Sequence, residues 1–148
     1  MCLICDRIQM IKENTNPWFV KELETGYVVI GDYQRFEGYT VFICKQHASE
    51  LHQLERNFKM KFLEEMSLVA QAVYDAFPCD KLHYELLGVG NGVHMHWHIF
   101  PRREGDSPIK GPVWKLPKEE MYAEKYKPSP RQLEGLKTKL KAELDKLV

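Results

Sequence analysis

His94, His96 and His98 stand at alternate positions in the run Gly92-Val93-His94-Met95-His96-Trp97-His98-Ile99-Phe100-Pro101. Imidazole titrates near neutral pH, and its neutral form is a nucleophile, a proton carrier and a metal ligand. The residues between the histidines, Val93, Met95, Trp97 and Ile99, are apolar. This is the period-2 pattern of a half-buried strand, which sends the apolar set to the core and the imidazoles to the opposite face. Same-face neighbours on a strand stand roughly 6.5–7 Å apart, whereas Zn–N bonds measure about 2.0–2.1 Å. One ion cannot hold all three rings on a regular strand, so the pattern predicts a separate role for each.

The whole chain narrows the setting. Its 148 residues suffice for one domain with a real core, burying roughly 70% of the unfolded surface. Lys+Arg and Asp+Glu balance at 21 each, so no overall positive field draws it to nucleic acid or anionic membrane. A nucleotide needs only local donors and stays open. Met1-Cys2-Leu3-Ile4-Cys5-Asp6-Arg7 carries no apolar signal region, and no later stretch approaches a membrane span. The expected location is cytoplasmic, where four cysteines read as thiols or metal ligands. Cys2-x-x-Cys5 offers one edge of a tetrahedral zinc site, which needs four ligands, and Cys44 and Cys79 are isolated. By spacing alone the pair reads either as two reduced cysteines or as half a site completed by distant histidines.

The elements that must position these groups follow from periodicity. Trp18 to Leu23, Tyr27 to Ile30 and Tyr39 to Cys44 read as strands, separated at Glu24-Thr25-Gly26 and Gly31-Asp32. Asp32, at a strand end, can accept from a sugar's hydroxyls or cap the turn. Leu51, Leu54, Phe58, Phe62, Met66, Val69, Val73 and Phe77 predict one long amphipathic helix, N-capped by Ser49 and ended by Pro78. Leu82 to Leu87 alternates again. A two-residue Asn91-Gly92 turn would pair Leu86 with Trp97, Tyr84 with Ile99 and Glu85 with His98. There the Glu85 carboxylate would raise the His98 pKa and fix its tautomer. Residues 102 to 128 are irregular, with one helical turn expected near Lys118 to Tyr126, and are long enough to fold over the site. Trp114 within them reads as ordinary packing more than as a platform for a base. Ser129-Pro130-Arg131-Gln132 has the form of a capping box, and Leu133, Leu136, Leu140, Leu144 and Leu147 stripe a terminal helix. No boundary divides residues 1–148, which are expected to form one domain.

His94-Met95-His96-Trp97-His98-Ile99-Phe100 resembles the signature of the histidine triad (HIT) family, three histidines alternating with apolar residues, and Pro101-Arg102 extends the likeness. Cys2-Leu3-Ile4-Cys5 and the segment from Gly38 to His47 are similar to family segments in the same order, so the likeness spans roughly residues 2–102. The resemblance implies an α+β, HIT-like fold. That is an antiparallel five-stranded sheet with one long central helix and a C-terminal helix, usually paired into a homodimer; residues 103–148 lie outside it. It also implies a nucleotidyl hydrolase or transferase acting at the α-phosphate of a dinucleoside polyphosphate such as diadenosine tetraphosphate. A nucleoside phosphoramidase, or a nucleotide-binding protein with little turnover, is the alternative.

By the same resemblance His96 is the nucleophile and His98 contacts the phosphate or leaving group. Asp32 would meet the ribose, while Asn91 and Arg102 are candidate phosphate donors. Some relatives bind structural zinc with an N-terminal Cys-x-x-Cys, the histidine after the third strand and the first triad histidine. Cys2, Cys5, His47 and His94 occupy those places. One departure stands out: many relatives carry a histidine after the glycine that opens the third strand, and here Gly38 is followed by Tyr39.

Overall fold

The computed structural model describes residues 2–90 and 92–148. Five antiparallel strands, β1 (Phe19–Glu22), β2 (Gly26–Ile30), β3 (Thr40–Cys44), β4 (Lys81–Leu86) and β5 (His96–Arg102), form one sheet in the order β1-β2-β3-β5-β4. Four α-helices accompany it: α1 (Leu3–Lys12), α2 (Arg56–Ala76), the single turn α3 (Lys118–Met121) and α4 (Pro130–Leu147). The architecture is α+β, as the HIT-like reading implies.

The strand period assigns the two faces. Val28 and Ile30 of β2, Phe42 and Cys44 of β3 and Ile99 of β5 pack with Phe62, Val69 and Val73 of α2 and with Leu140 and Leu144 of α4. Several of these side chains are fully enclosed, and each such apolar residue contributes about 1.5–3 kcal/mol. Tyr27, Val29, Val41 and Ile43 point the other way and are covered by Ile4, Ile8 and Ile11 of α1. His98 lies opposite Val41 and His96 opposite Ile43, so both imidazoles emerge on the α1 face. β2 and β3 are buried throughout because helices cover both sides.

Two helices differ from the sequence expectation. The N-terminal segment forms α1, with the Cys2 thiol as N-cap accepting from the Cys5 N–H at 3.3 Å. The long helix begins later than expected. Leu51–Gln53 make a separate 3-10 turn, Leu54 is extended, and the Glu55 carboxylate caps α2 by accepting from the N–H groups of Asn57 and Phe58. Ser49 is therefore not the cap; its N–H instead donates to the Gln53 side chain. Apolar spacing runs unbroken through this junction, and local capping chemistry sets the break. At the far end Ser129 and Gln132 form the expected capping box with Pro130 in the first turn.

The β4–β5 register is the expected one, Leu86 with Trp97, Glu85 with His98 and Tyr84 with Ile99. The strand, however, starts at His96 and not at Val93. Before it, the Met95 N–H donates to the Ala48 carbonyl, and the Met95 carbonyl accepts from Cys44. Gly88, Gly90 and Gly92 hold positive φ in the connecting loop. Asn91 lies outside the described residues.

Candidate functional site

Each imidazole of the run has one nitrogen committed, and the partner's chemistry identifies which nitrogen carries the proton. His94 Nε2 lies 2.6 Å from the Cys44 carbonyl oxygen, which can only accept, so Nε2 is the protonated nitrogen and Nδ1 keeps its lone pair. His96 Nδ1 lies 2.9 Å from the His94 carbonyl oxygen by the same logic. Its Nε2 is therefore the lone-pair nitrogen, and it has no hydrogen-bond partner among the described residues. His98 Nδ1 lies 2.6 Å from the Tyr39 hydroxyl. That phenol has no other partner among the described residues, so it donates, and His98 keeps its proton on Nε2. The outcome is an unprotonated nitrogen on His96 beside a donor on His98, with ring centroids 4.7 Å apart.

Burial keeps this arrangement neutral. Desolvation, with the neighbouring His96 second, pushes the His98 pKa down from 6.5 to about 4. Burial likewise holds the Tyr39 hydroxyl well above the ordinary phenol range, so it stays a donor. Glu85 does lie opposite His98 in the ladder, yet it neither raises that pKa nor sets the tautomer. Tyr39, the residue before β3, occupies Nδ1 instead, and burial pushes the Glu85 carboxyl itself upward. The phenol is fixed by its ring, stacked on Phe100 at 4.1 Å and 10°. Gly31 makes room for it, since a Cβ there would collide with the Tyr39 ring. Gln34 ties the loop by donating to the Gly31 and Tyr39 carbonyls. The residue that departs from the family pattern is thus the one that orients the third histidine.

His96, His98 and Tyr39 open on a cavity of about 220 Å³, with Val29, Ile43, Leu3 and Ile4 forming much of its apolar wall. Asp32 lines it too, and its carboxylate receives a two-point ion pair from Arg7 at 2.8 and 3.1 Å. The Arg7 guanidinium in turn lies 4.0 Å from the centre of the Trp18 ring. Arg7 and Trp18 are site residues the sequence reading did not single out; Ile4, Ile8 and Ile11 at helical spacing were the available signal for the element that brings Arg7 in. Arg102 is placed elsewhere. It is 9% exposed, bonds Asp106 twice at 2.8 and 2.9 Å and donates to the Gly111 carbonyl at 2.7 Å. Its charge is neutralised within the loop after β5 and it does not line the cavity.

The four expected metal ligands converge. One atom each from Cys2, Cys5, His47 and His94 lies within 4.8 Å of all the others. His94 Nδ1 is 3.8 Å from Cys2 Sγ and 3.5 Å from Cys5 Sγ, and Cys5 Sγ is 3.3 Å from His47 Nδ1. A tetrahedron with Zn–S of about 2.3 Å and Zn–N of about 2.0 Å has edges of roughly 3.3–3.8 Å, the range of these three contacts, and the chemistry of two thiols and two imidazoles suits the same ion. The His94 Nε2–H bond to the Cys44 carbonyl holds the lone-pair nitrogen toward the thiols, as the carbonyl partner of a metal-ligating histidine does.

Fold and site together define an α+β protein in which β5 and the residues just before it carry three histidines in three hydrogen-bonding roles. The HIT domain family model matches residues 19–105, and the chain belongs to that family. A histidine triad protein from Bradyrhizobium japonicum superposes with a TM-score of 0.73 at 20% identity, covering 85% of this chain and 89% of that one. A hypothetical histidine triad nucleotide-binding protein from Sulfolobus tokodaii gives 0.71 at 23%, over 97% and 93%. A Zn-bound histidine triad family protein from Mycobacterium smegmatis gives 0.65 at 20%, over 99% and 94%. Among the curated proteins none matches the sequence. No helix among the described residues is long and apolar enough to cross a membrane.

Proposed function

We propose that the chain is a nucleotidyl hydrolase or transferase that cleaves at an α-phosphate through a nucleotidyl-imidazole on His96. One observation carries this reading: the Nδ1–H bond to the His94 carbonyl leaves His96 Nε2 as a lone pair in the cavity wall. Nε2 attacks phosphorus, forming the N–P bond as the bond to the leaving group breaks. His98 Nε2–H donates a hydrogen bond to the departing atom and stabilises the negative charge that develops there, help typically worth about 10²- to 10³-fold. Water then attacks the phosphorus, the N–P bond breaks to restore neutral His96, and the water's proton leaves with the products. The nucleoside takes the apolar cavity, where Asp32 retains lone pairs for ribose hydroxyls. Asn91 is kept as a phosphate donor on its place in the sequence, and Arg102 takes no part.

A dinucleoside polyphosphate is the substrate class this reading starts from, with nucleoside phosphoramidates second. The Cys2, Cys5, His47 and His94 cluster is assigned a structural zinc, supported by the donor geometry and by the relative described as Zn-bound. When bound, the ion would use those four ligands to fasten the start of α1 to the approach to β5, with no open position for chemistry. Pairing into a homodimer through a continuous sheet belongs to the same reading, since β4 is an edge strand. Rapid-quench reaction with labelled adenosine tetraphosphate tests the central step. The expected result is adenylate attached to His96, absent in His96→Ala. Nucleotide binding with neither adduct nor product would instead favour a binding protein.

A further inference from the structure

Helix α1 carries two kinds of side chain on neighbouring turns. Cys2, its N-cap, and Cys5, in its first turn, belong to the cluster with His47 and His94. Leu3, Ile4 and Arg7 line the cavity that holds His96 and His98. Arg7 lies two residues past Cys5, about 3 Å further along the helix axis. Its guanidinium closes a two-point pair on Asp32, at 3.1 and 2.8 Å, while stacked 4.0 Å from the centre of the Trp18 ring. Asn16 fixes both supports, donating to the Arg7 carbonyl and accepting from the Trp18 N–H. A single ion pair at this exposure adds little stability, but the planar fork and the stacked ring select one geometry. All of α1 precedes residues 19–105, so the contact lies outside the family match.

We propose that Arg7 is a positioning residue linking the Cys2, Cys5, His47 and His94 cluster to nucleotide affinity: a metal held at the start of α1 sets the helix, and the helix sets the Asp32 carboxylate. The inference rests on the reading in which Asp32 meets the ribose. A carboxylate offers about four lone-pair sites, and the Arg7 fork takes one on each oxygen. Two remain, in a plane the guanidinium dictates, for two vicinal hydroxyls. The sheet grips the second half of α1, where Ile8 and Ile11 are buried, whereas Leu3 is 65% exposed and Cys5 is exposed. The first turn therefore leans on the cluster, and helix ends left free fray. Such a link is reciprocal: the nucleotide tightens the metal by the factor by which the metal tightens the nucleotide.

Calorimetric titration with AMP and with 2′,3′-dideoxy-AMP, which lacks both hydroxyls, reads the link without turnover. Zinc-loaded wild type is expected to bind AMP about tenfold more tightly than the chelated protein, with dideoxy-AMP little changed. Circular dichroism at the same temperature checks that the chelated chain is folded. Arg7→Met, loaded with zinc, is expected to show the same selective loss while metal analysis still finds one zinc per chain. Arg7→Lys, which keeps the charge and loses the fork, should recover only part of it. Equal losses for the two nucleotides, or AMP affinity that ignores either chelation or Arg7→Met, overturn the proposal. A chelated chain that unfolds also overturns it, because the metal then holds the whole fold and not the first turn. The selective loss without adenylyl-His96 leaves the link standing and ends the nucleotidyl reading, whereas a chain that binds neither nucleotide ends both.

Discussion

The two ends of the histidine run, one just before β5 and one within it, share a residue type and differ in every consequence. At the His94 end the ring is 3% exposed, donates to a backbone carbonyl and turns its lone pair toward two thiols and a second imidazole. At the His98 end the ring faces two cavities, accepts from a phenol and keeps its proton on the nitrogen left over. One end is built to hold a cation and the other to offer a hydrogen-bond donor. What separates them is which atom reaches the ring from the next strand: the Cys44 carbonyl fixes one tautomer, the Tyr39 hydroxyl the other. His96, between them, borrows the backbone of the first to free its own nucleophilic nitrogen.

Breaking the His94 end should have the largest effect, and it should be an effect on the fold. Cys5→Ala, or chelation of the wild type, is expected to release one zinc per chain and cost several kcal/mol. Melting would then fall by about 10 °C or more. Metal analysis and thermal unfolding measure both; a protein purified without zinc, whose melting ignores chelators, would end the assignment. The His98 end should respond in the opposite sense. His98→Ala is expected to lower kcat by about 10²- to 10³-fold while metal content stays at the wild-type level. If that variant loses metal and keeps its turnover, the division of labour between the two ends is wrong.

Much of this division could be read in advance, and the part that could not is non-local. Alternation sends Trp97 and Ile99 toward the core, and turn arithmetic pairs Glu85 with His98. Neither argument sees across to β3, so Tyr39 could be noted as a departure but not as the partner that sets the His98 tautomer. The environment of Arg102 is local by contrast: Asp106, four residues on, is legible as its counter-ion. Helix α1 hid behind its cysteines, because a thiol is an unusual N-cap and attention to ligands masked Ile4, Ile8 and Ile11. The start of α2 was missed because an apolar stripe carries no mark where the backbone turns extended for two residues.

Titration gives a finer probe of the same contrast. The folded state holds the His98 pKa near 4 and the unfolded chain restores it to about 6.5. Between those values the unfolded chain binds a proton that the folded one refuses, so stability falls as pH drops through that window and is unaffected above it. At 1.36 kcal/mol per unit the full effect is about 3 kcal/mol. His98→Gln should remove this portion of the slope, read as the difference in unfolding free energy between variant and wild type at pH 7 and near pH 4. Parallel pH profiles would mean the ring is protonated in the folded protein.

Tyr39→Phe is the smallest change and the sharpest one. It keeps the ring that stacks on Phe100 and removes only the hydroxyl that donates to His98. Without that donor, Nδ1 can carry the proton, and the tautomer with Nε2–H is no longer enforced. A lone hydrogen bond of this kind is worth about 0.5–1.5 kcal/mol, so kcat should fall by roughly tenfold with KM little changed. The His98 ring should also spend part of its time as the other tautomer, visible in its ¹⁵N shifts. Tyr39→His replaces one oriented group by another and should recover part of the loss if orientation is the function of this position. A Phe variant with wild-type kcat and a single, unaltered tautomer would transfer that task to burial alone.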